Sequence, residues 1–187
     1  MRAIIVMGVS GCGKSLLAQR LAQALSAPFI EADDLHSPTN RDKMAAGTPL
    51  TDADRWPWLD AVGRRLGDLT RREGMAVAAC SALRQAYRDR LEQAAGLPLR
   101  YVHLSGSRDV LAARMSARAG HFMNPALLDS QLATLEAPSG AHVLTCDLSQ
   151  TPEQLLMAAL EYHNMPGDRQ QLAMDNTQEL NDFSSVL

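Results

Sequence analysis

Nothing in this chain approaches the ~18 consecutive apolar residues that a membrane-crossing helix requires, so a helical span is excluded. The stretch Arg2 to Cys12 has a signal peptide's outline, but its apolar part is short. A glycine-rich segment and Lys14 stand where a cleavage site belongs, so no leader is expected. Cysteine is scarce: Cys12, Cys80 and Cys146 are far apart and form no C-x-x-C pair. That spacing excludes a disulfide framework and a cysteine zinc site, and fits reduced thiols in a cytoplasm. The five histidines do not cluster at ligand spacings. There is no excess of positive charge either. With a formal net charge of −3, the surface cannot present a broad basic face to a polyanion, and nucleic acid is not an expected partner. Internal repeats, low-complexity blocks and the Asn-Lys-x-Asp motif that reads guanine are all absent. These absences leave a soluble cytoplasmic enzyme as the class to examine.

What is present is enough apolar content, 46% of 187 residues, for one well-cored domain. Short apolar runs alternate with amphipathic helical stretches, the pattern of a parallel sheet covered on both faces. Strands are expected at Ala3–Met7, Pro28–Asp33, Met75–Cys80, Leu99–Leu104 and Ala141–Cys146. Trp58, Leu59, Val62, Leu66 and Leu69 mark one helical face, and Leu155, Leu156, Ala159 and Leu160 another. The fold class is therefore α/β, a three-layer α/β/α arrangement with a five-stranded parallel sheet and a small lid. Residues 1–162 form the domain, with the lid at about 114–126. The segment 163–187, rich in Gln, Asn, Asp and Ser, reads as a weakly ordered tail.

The first apolar run leads into Gly8-Val9-Ser10-Gly11-Cys12-Gly13-Lys14-Ser15, which fits G-x-x-x-x-G-K-[ST]. Glycines let the backbone close around an anion so that successive N–H groups point at phosphate oxygens. The helix expected from Lys14 to Leu25 aims its positive dipole end at the same place. Gly8, Gly11, Cys12, Gly13, Lys14, Ser15 and Leu16 are thus candidate ATP-binding residues. Lys14 would reach the β- and γ-phosphates, and the Ser15 hydroxyl would hold Mg²⁺.

Phosphoryl transfer also needs carboxylates, one near the metal and one to take the proton of the attacking hydroxyl. No acid ends the third strand. Glu31-Ala32-Asp33-Asp34-Leu35-His36, after the second, places three carboxylates and an imidazole within six residues. Strand alternation would put Glu31 and Asp33 on one side. Asp33 is the candidate base or metal-side carboxylate, Asp34 the residue that orients the acceptor, and His36 a further acceptor contact. An arginine is the natural partner for an acceptor's carboxylate, because its fork makes two parallel hydrogen bonds. Arg55, Arg84 and Arg88 are candidates, the last two sharing a face if their segment is helical, and Lys43 is another. Arg114 and Arg118 flank a glycine- and proline-bracketed segment with the composition of a lid, where arginines would stabilise the transferring phosphoryl group. Gln131 lies on the helix expected beyond it.

Asp33-Asp34-Leu35-His36, Asn40, Lys43-Met44, Gly47-Thr48-Pro49-Leu50-Thr51-Asp52, Asp54-Arg55 and Trp58-Leu59 together resemble the gluconate kinase family of phosphate-loop small-molecule kinases, related to shikimate kinase. The similarity continues through Ala79-Cys80-Ser81-Ala82-Leu83-Arg84, Tyr87-Arg88-Asp89, His121-Phe122-Met123 and Leu127-Leu128-Asp129-Ser130-Gln131, ending near Leu135-Glu136. The resemblance implies ATP-dependent phosphorylation of the C6 hydroxyl of D-gluconate in a cytoplasmic homodimer. It implies a catalytic role for Arg118 beside Lys14 and Asp33, and an acceptor site that includes Ser81 and Gln131. Glu31 stands where relatives often carry aspartate. Two rivals remain open on the residues alone: the same kinase build with another acceptor, such as shikimate, another sugar acid or a nucleoside monophosphate, and a nucleotide-binding module without an acceptor.

Overall fold

The computed structural model describes residues 1–116 and 125–165. Arg118, positions 117–124 of the expected lid and the tail from residue 166 lie outside the described residues. Five strands, β1 (Arg2–Met7), β2 (Phe29–Glu31), β3 (Met75–Ala79), β4 (Leu99–Ser105) and β5 (Val143–Asp147), form one parallel sheet in the order β2-β3-β1-β4-β5. Helices α1 (Lys14–Ala24), α2 (Pro38–Ala45), α3 (Asp52–Glu73), α4 (Gln85–Ala95), α5 (Arg108–Ser116), α6 (Pro125–Thr134) and α7 (Pro152–Asn164) connect and cover it.

Central strand β1 reads as an unbroken apolar run because both its faces are covered. Its alternation sends Ile4 and Val6 into a layer with Leu17 and Leu21 of α1 and Leu155 and Ala159 of α7. Ala3, Ile5 and Met7 enter the opposite layer with Leu59, Val62 and Leu66 of α3 and Leu91 of α4. Edge strand β5 is only partly covered. Capping boxes start two of the helices: Thr51 with Asp54 for α3, and Thr151 with Gln154 for α7.

Most strand ends differ from the sequence expectation by one residue, and three boundaries differ in ways that matter to the site or to the packing. Strand β2 stops at Glu31, and Ala32–Leu35 form a 3-10 turn. Glu31 and Asp33 therefore do not share a strand face, because the turn ends the alternation that would have aligned them. Strand β5 begins at Val143, whose N–H closes a turn onto the Gly140 carbonyl. Helix α7 continues past residue 162 to Asn164, with His163 buried, where Arg2 and Arg100 donate to the carbonyls that end it.

Since all strands run parallel, β1, β2 and β3 present their carboxyl ends at one edge of the sheet. Open α/β sheets bind ligands at that edge, beside a strand whose neighbours are reached by connections to opposite sides. Here that strand is β1, flanked by β3 and β4.

Candidate active site

Residues Gly8–Ser15 bridge the end of β1 to the first turn of α1. Gly13, the cap of α1, holds φ 98°, and the side a Cβ would occupy is open space. A side chain there would be strained and would fill the cradle, so glycine serves both the turn and the approach of a phosphate. No acidic residue occupies the first turn of α1, which leaves its dipole end free for an anion. Lys14 arches back over the loop and donates from Nζ to the Val9 carbonyl at 3.0 Å. The N–H of Gly8 donates to the Ser81 carbonyl at 3.4 Å, tying the loop to the segment that follows β3. Cys12 is fully buried beneath the loop, and burial pushes its thiol up. The Leu16 side chain points to solvent, so only its main chain is available to a nucleotide.

Ser15 opens α1 close enough to Glu31, the last residue of β2, for its hydroxyl to lower the Glu31 pKa. Burial raises the Glu31 pKa, the Ser15 hydrogen bond lowers it, and the Asp33 charge raises it again. Glu31 is thus a candidate for the metal-side carboxylate beside Ser15, in addition to Asp33. Asp33 and Asp34 are exposed on the 3-10 turn, where Asp33 acts on Glu31 and His36 through its charge. Among the described residues no three His, Cys, Asp or Glu side chains gather as a metal cage. A Mg²⁺ that keeps its waters and shares phosphate oxygens needs only one or two protein oxygens, and Ser15 with Glu31 supplies hard oxygen donors of that kind.

Beyond the turn the chain builds a second cluster. His36 is buried and stacks on Trp58 with ring centroids 4.2 Å apart and planes 14° apart. Trp58 is itself fixed by a 2.7 Å bond from Nε1 to the Ala32 carbonyl. Burial holds the imidazole below its ordinary pKa, hence neutral, and its Nδ1 has no hydrogen-bond partner among the described residues. At the start of α3, Asp52 accepts from Arg84 Nη1 at 2.8 Å and from the Tyr87 hydroxyl at 2.5 Å. Arg55 donates to the same Tyr87 oxygen at 3.3 Å and lies 3.6 Å from Asp52. Both guanidinium carbons stand 5.7 Å from the Tyr87 ring centroid. Arg55 of α3 and Arg84, just before α4, are thereby held beside one phenol and one carboxylate. Lys43 pairs with Asp54 at 2.7 Å, which holds that carboxyl down at about 2.

Arg88 belongs elsewhere. Its guanidinium is 3% exposed and bonds the carbonyls of Ala82 and Leu83 at 3.0 and 3.2 Å and Gln85 at 2.8 Å. It shapes the loop that carries Arg84 and has no face toward the cleft. Arg84 itself precedes α4 in extended conformation, so the two arginines do not share a helical face. Arg114 donates to the Leu148 carbonyl at 2.7 Å, and its charge reaches the Cys12 thiol under the phosphate loop. Gln131 faces the phosphate loop at Ser10. Asp129, on the same helix, pairs outward with Arg108 at 2.6 Å. Asp52 and Tyr87 were not assigned roles from sequence. Their only local signals are the Asp52/Arg55 spacing of three and the Arg84/Tyr87 spacing of three, which hundreds of surface pairs share.

A phosphate loop and an acidic turn at the carboxyl edge of a parallel sheet, facing a lobe rich in arginine, define a phosphate-loop kinase. The family described as an AAA domain matches residues 4–138. The chain is 48% identical over 137 residues to a gluconokinase of Gluconobacter oxydans, covering 73% of this chain and 76% of that protein. It is 40% identical to the thermosensitive gluconokinase of Escherichia coli, covering 84% and 87% of the two chains. The crystal structure of a gluconokinase from Sinorhizobium meliloti superposes with a TM-score of 0.79 at 47% identity, covering 86% of this chain and 90% of that one. The chain belongs to the gluconokinase family.

Proposed function

We propose that this protein transfers the γ-phosphoryl group of ATP to the C6 hydroxyl of D-gluconate, giving 6-phospho-D-gluconate and ADP. The observation that carries the reading is the arrangement at the sheet edge: the Gly8–Ser15 loop after β1, the carboxylates of Glu31, Asp33 and Asp34 at and after the end of β2, and Arg55 and Arg84 gathered with Asp52 and Tyr87 beyond. A phosphate site at one end and a two-arginine carboxylate site at the other suit an acceptor with a carboxylate opposite its reacting hydroxyl.

In this mechanism the loop amides from Gly11 to Ser15 and the Lys14 ammonium hold the triphosphate. Asp33 takes the proton of the attacking hydroxyl, and its exposure on the turn leaves its side chain room to reorient. Asp34 and neutral His36 bind acceptor hydroxyls, with His36 Nδ1 free to accept or donate. Arg55 and Arg84 take the acceptor carboxylate, and Ser81 borders the same cleft. Mg²⁺, held by Ser15 and Glu31 together with phosphate oxygens, would neutralise charge on the transferring group. Arg114, beside the loop, and Arg118 would add positive charge there. Lys43, committed to Asp54, supports the acceptor side as a structural pair.

We further propose that the enzyme works in the cytoplasm as a homodimer, the arrangement the family resemblance implies. Three free, buried cysteines agree with a reducing compartment, and no described helix is long and apolar enough to cross a membrane. A coupled ADP-release assay over a panel of sugar acids, shikimate and nucleoside monophosphates tests the function, with mass spectrometry of the product. Gluconate should give the highest kcat/KM and a singly phosphorylated product. A better acceptor elsewhere in the panel, or equal hydrolysis without any acceptor, would overturn it.

A further inference from the structure

The phosphate loop is gripped from outside at its crest. Gln131, in the middle of α6, makes two bonds to one loop residue. Its Oε1 accepts from the Ser10 N–H at 2.6 Å, and its Nε2 donates to the Ser10 hydroxyl at 3.0 Å. These groups are 121 residues apart in sequence, and Gln131 is half-buried where they meet. The next residue, Gly11, is held from another direction. A Cβ placed on it would collide with the Met115 side chain at the end of α5, so Met115 packs directly on the Gly11 backbone. Gly11 also takes φ 79°, a conformation other residues resist, so the crest has a defined shape that these two contacts clamp.

A loop that binds phosphate through main-chain donors depends on the direction of each peptide. A free loop must lose conformational freedom when the anion arrives, and a clamped one has lost it already. The Ser10 peptide lies between the invariant ends of the motif, where nothing else among the described contacts holds its N–H.

We propose that Gln131 is a positioning residue of the phosphate loop: through Ser10 it presets the backbone that receives the triphosphate, and it does not bind the acceptor. This rests on the kinase reading and reassigns one of the acceptor-site residues expected from sequence. Nothing in the role requires Gln131 to touch a reacting atom. Its carboxamide supplies one acceptor and one donor at once, the pair that the Ser10 N–H and hydroxyl demand. Glutamate at this position would keep both bonds, with the Ser10 hydroxyl turning to donate, but would set a negative charge against the incoming phosphates.

The experiment compares the wild type with Gln131→Met, Gln131→Glu, Ser10→Ala and the double variant Gln131→Met/Ser10→Ala. Each is assayed for ADP binding by calorimetry and for the KM of ATP and of gluconate. Gln131→Met should weaken ADP binding and raise the ATP KM by about tenfold, the loss expected for two hydrogen bonds, with gluconate KM and thermal midpoint nearly unchanged. Ser10→Ala keeps the N–H bond and should lose less, and the double variant should be no worse than Gln131→Met alone. Gln131→Glu should weaken ADP binding in a salt-sensitive way. A rise in gluconate KM equal to or larger than that in ATP KM would return Gln131 to the acceptor site. Unchanged ADP affinity in both Gln131 variants would make the clasp idle, and additive losses in the double variant would break the link to Ser10. Calorimetry reads nucleotide binding without turnover, so a wild type that binds ADP but ignores gluconate would refute the kinase reading and leave this one standing.

Discussion

On the proposed nucleotide side of the cleft the main-chain donors come from the consecutive residues Gly8–Ser15, whereas the side chains opposite come from scattered elements. His36 follows the 3-10 turn, Asp52 and Arg55 open α3, and Arg84 and Tyr87 stand at the start of α4. The nucleotide side works through backbone geometry that a short sequence specifies. The acceptor side works through side chains whose directions are set by partners 32 to 35 residues away. A consequence is that the first should fail all at once and the second by degrees.

Lys14→Ala is the sharpest way to test that contrast. It should lower kcat by about a thousandfold or more in the coupled assay, since a charge aimed at the transferring group is lost. Activity near wild type would remove the loop from catalysis. Asp33→Asn should cut kcat by about a hundredfold or more while ADP affinity changes by less than about threefold. Parallel losses in both would make Asp33 a structural residue of the turn.

On the acceptor side, Arg84→Lys keeps the charge but loses the fork, and should raise the gluconate KM about tenfold with ATP KM unmoved. Tyr87→Phe, which removes the hydroxyl that accepts from Arg55 and donates to Asp52, should raise it by only about threefold. If Tyr87→Phe proved the more damaging, the phenol itself would be the ligand, and the arginines its supports.

Smaller effects belong to pH. His36, His103 and His163 are all buried with pKa values below the ordinary 6.5. The unfolded chain therefore binds protons first as pH falls, so the stability these neutral rings contribute is present above 6.5 and lost below it. Thermal midpoints measured from pH 8 to 5 should decline through that range by about a few degrees. Glu31 has the opposite sign. Its folded pKa is raised, chiefly by burial, so ionising it costs stability at neutral pH. Glu31→Gln should raise the thermal midpoint slightly at pH 8, with the gain vanishing as pH falls through the carboxyl's own titration, even as the Mg²⁺ dependence of turnover weakens.

The legibility of the site followed the same division. Strand β1, the loop and α1 were readable because an apolar run, a glycine motif and a helical stripe follow one another without a gap. The roles of Glu31 and Asp33 were not, because the alternation argument assumes a strand, and a 3-10 turn begins at Ala32. Arg88 was grouped with Arg84 by a spacing of four, which fails because Arg84 lies before the helix and Arg88 turns inward to the carbonyls of Ala82 and Leu83. From sequence Gln131 reads as an acceptor-site residue, and its contact with Ser10 was not legible because the two lie 121 residues apart.

The amino-acid order alone determined the layered sheet, the phosphate loop and the acidic turn beside it, since those depend on periodicity and backbone freedom within a dozen residues. Tertiary structure decided which carboxylate meets Ser15, which arginines gather on Tyr87 and what Gln131 holds. Those choices turn on where a helix begins and which distant group lies within about 3 Å of a donor, and hydrogen bonds are directional enough that a shift of one residue assigns them differently.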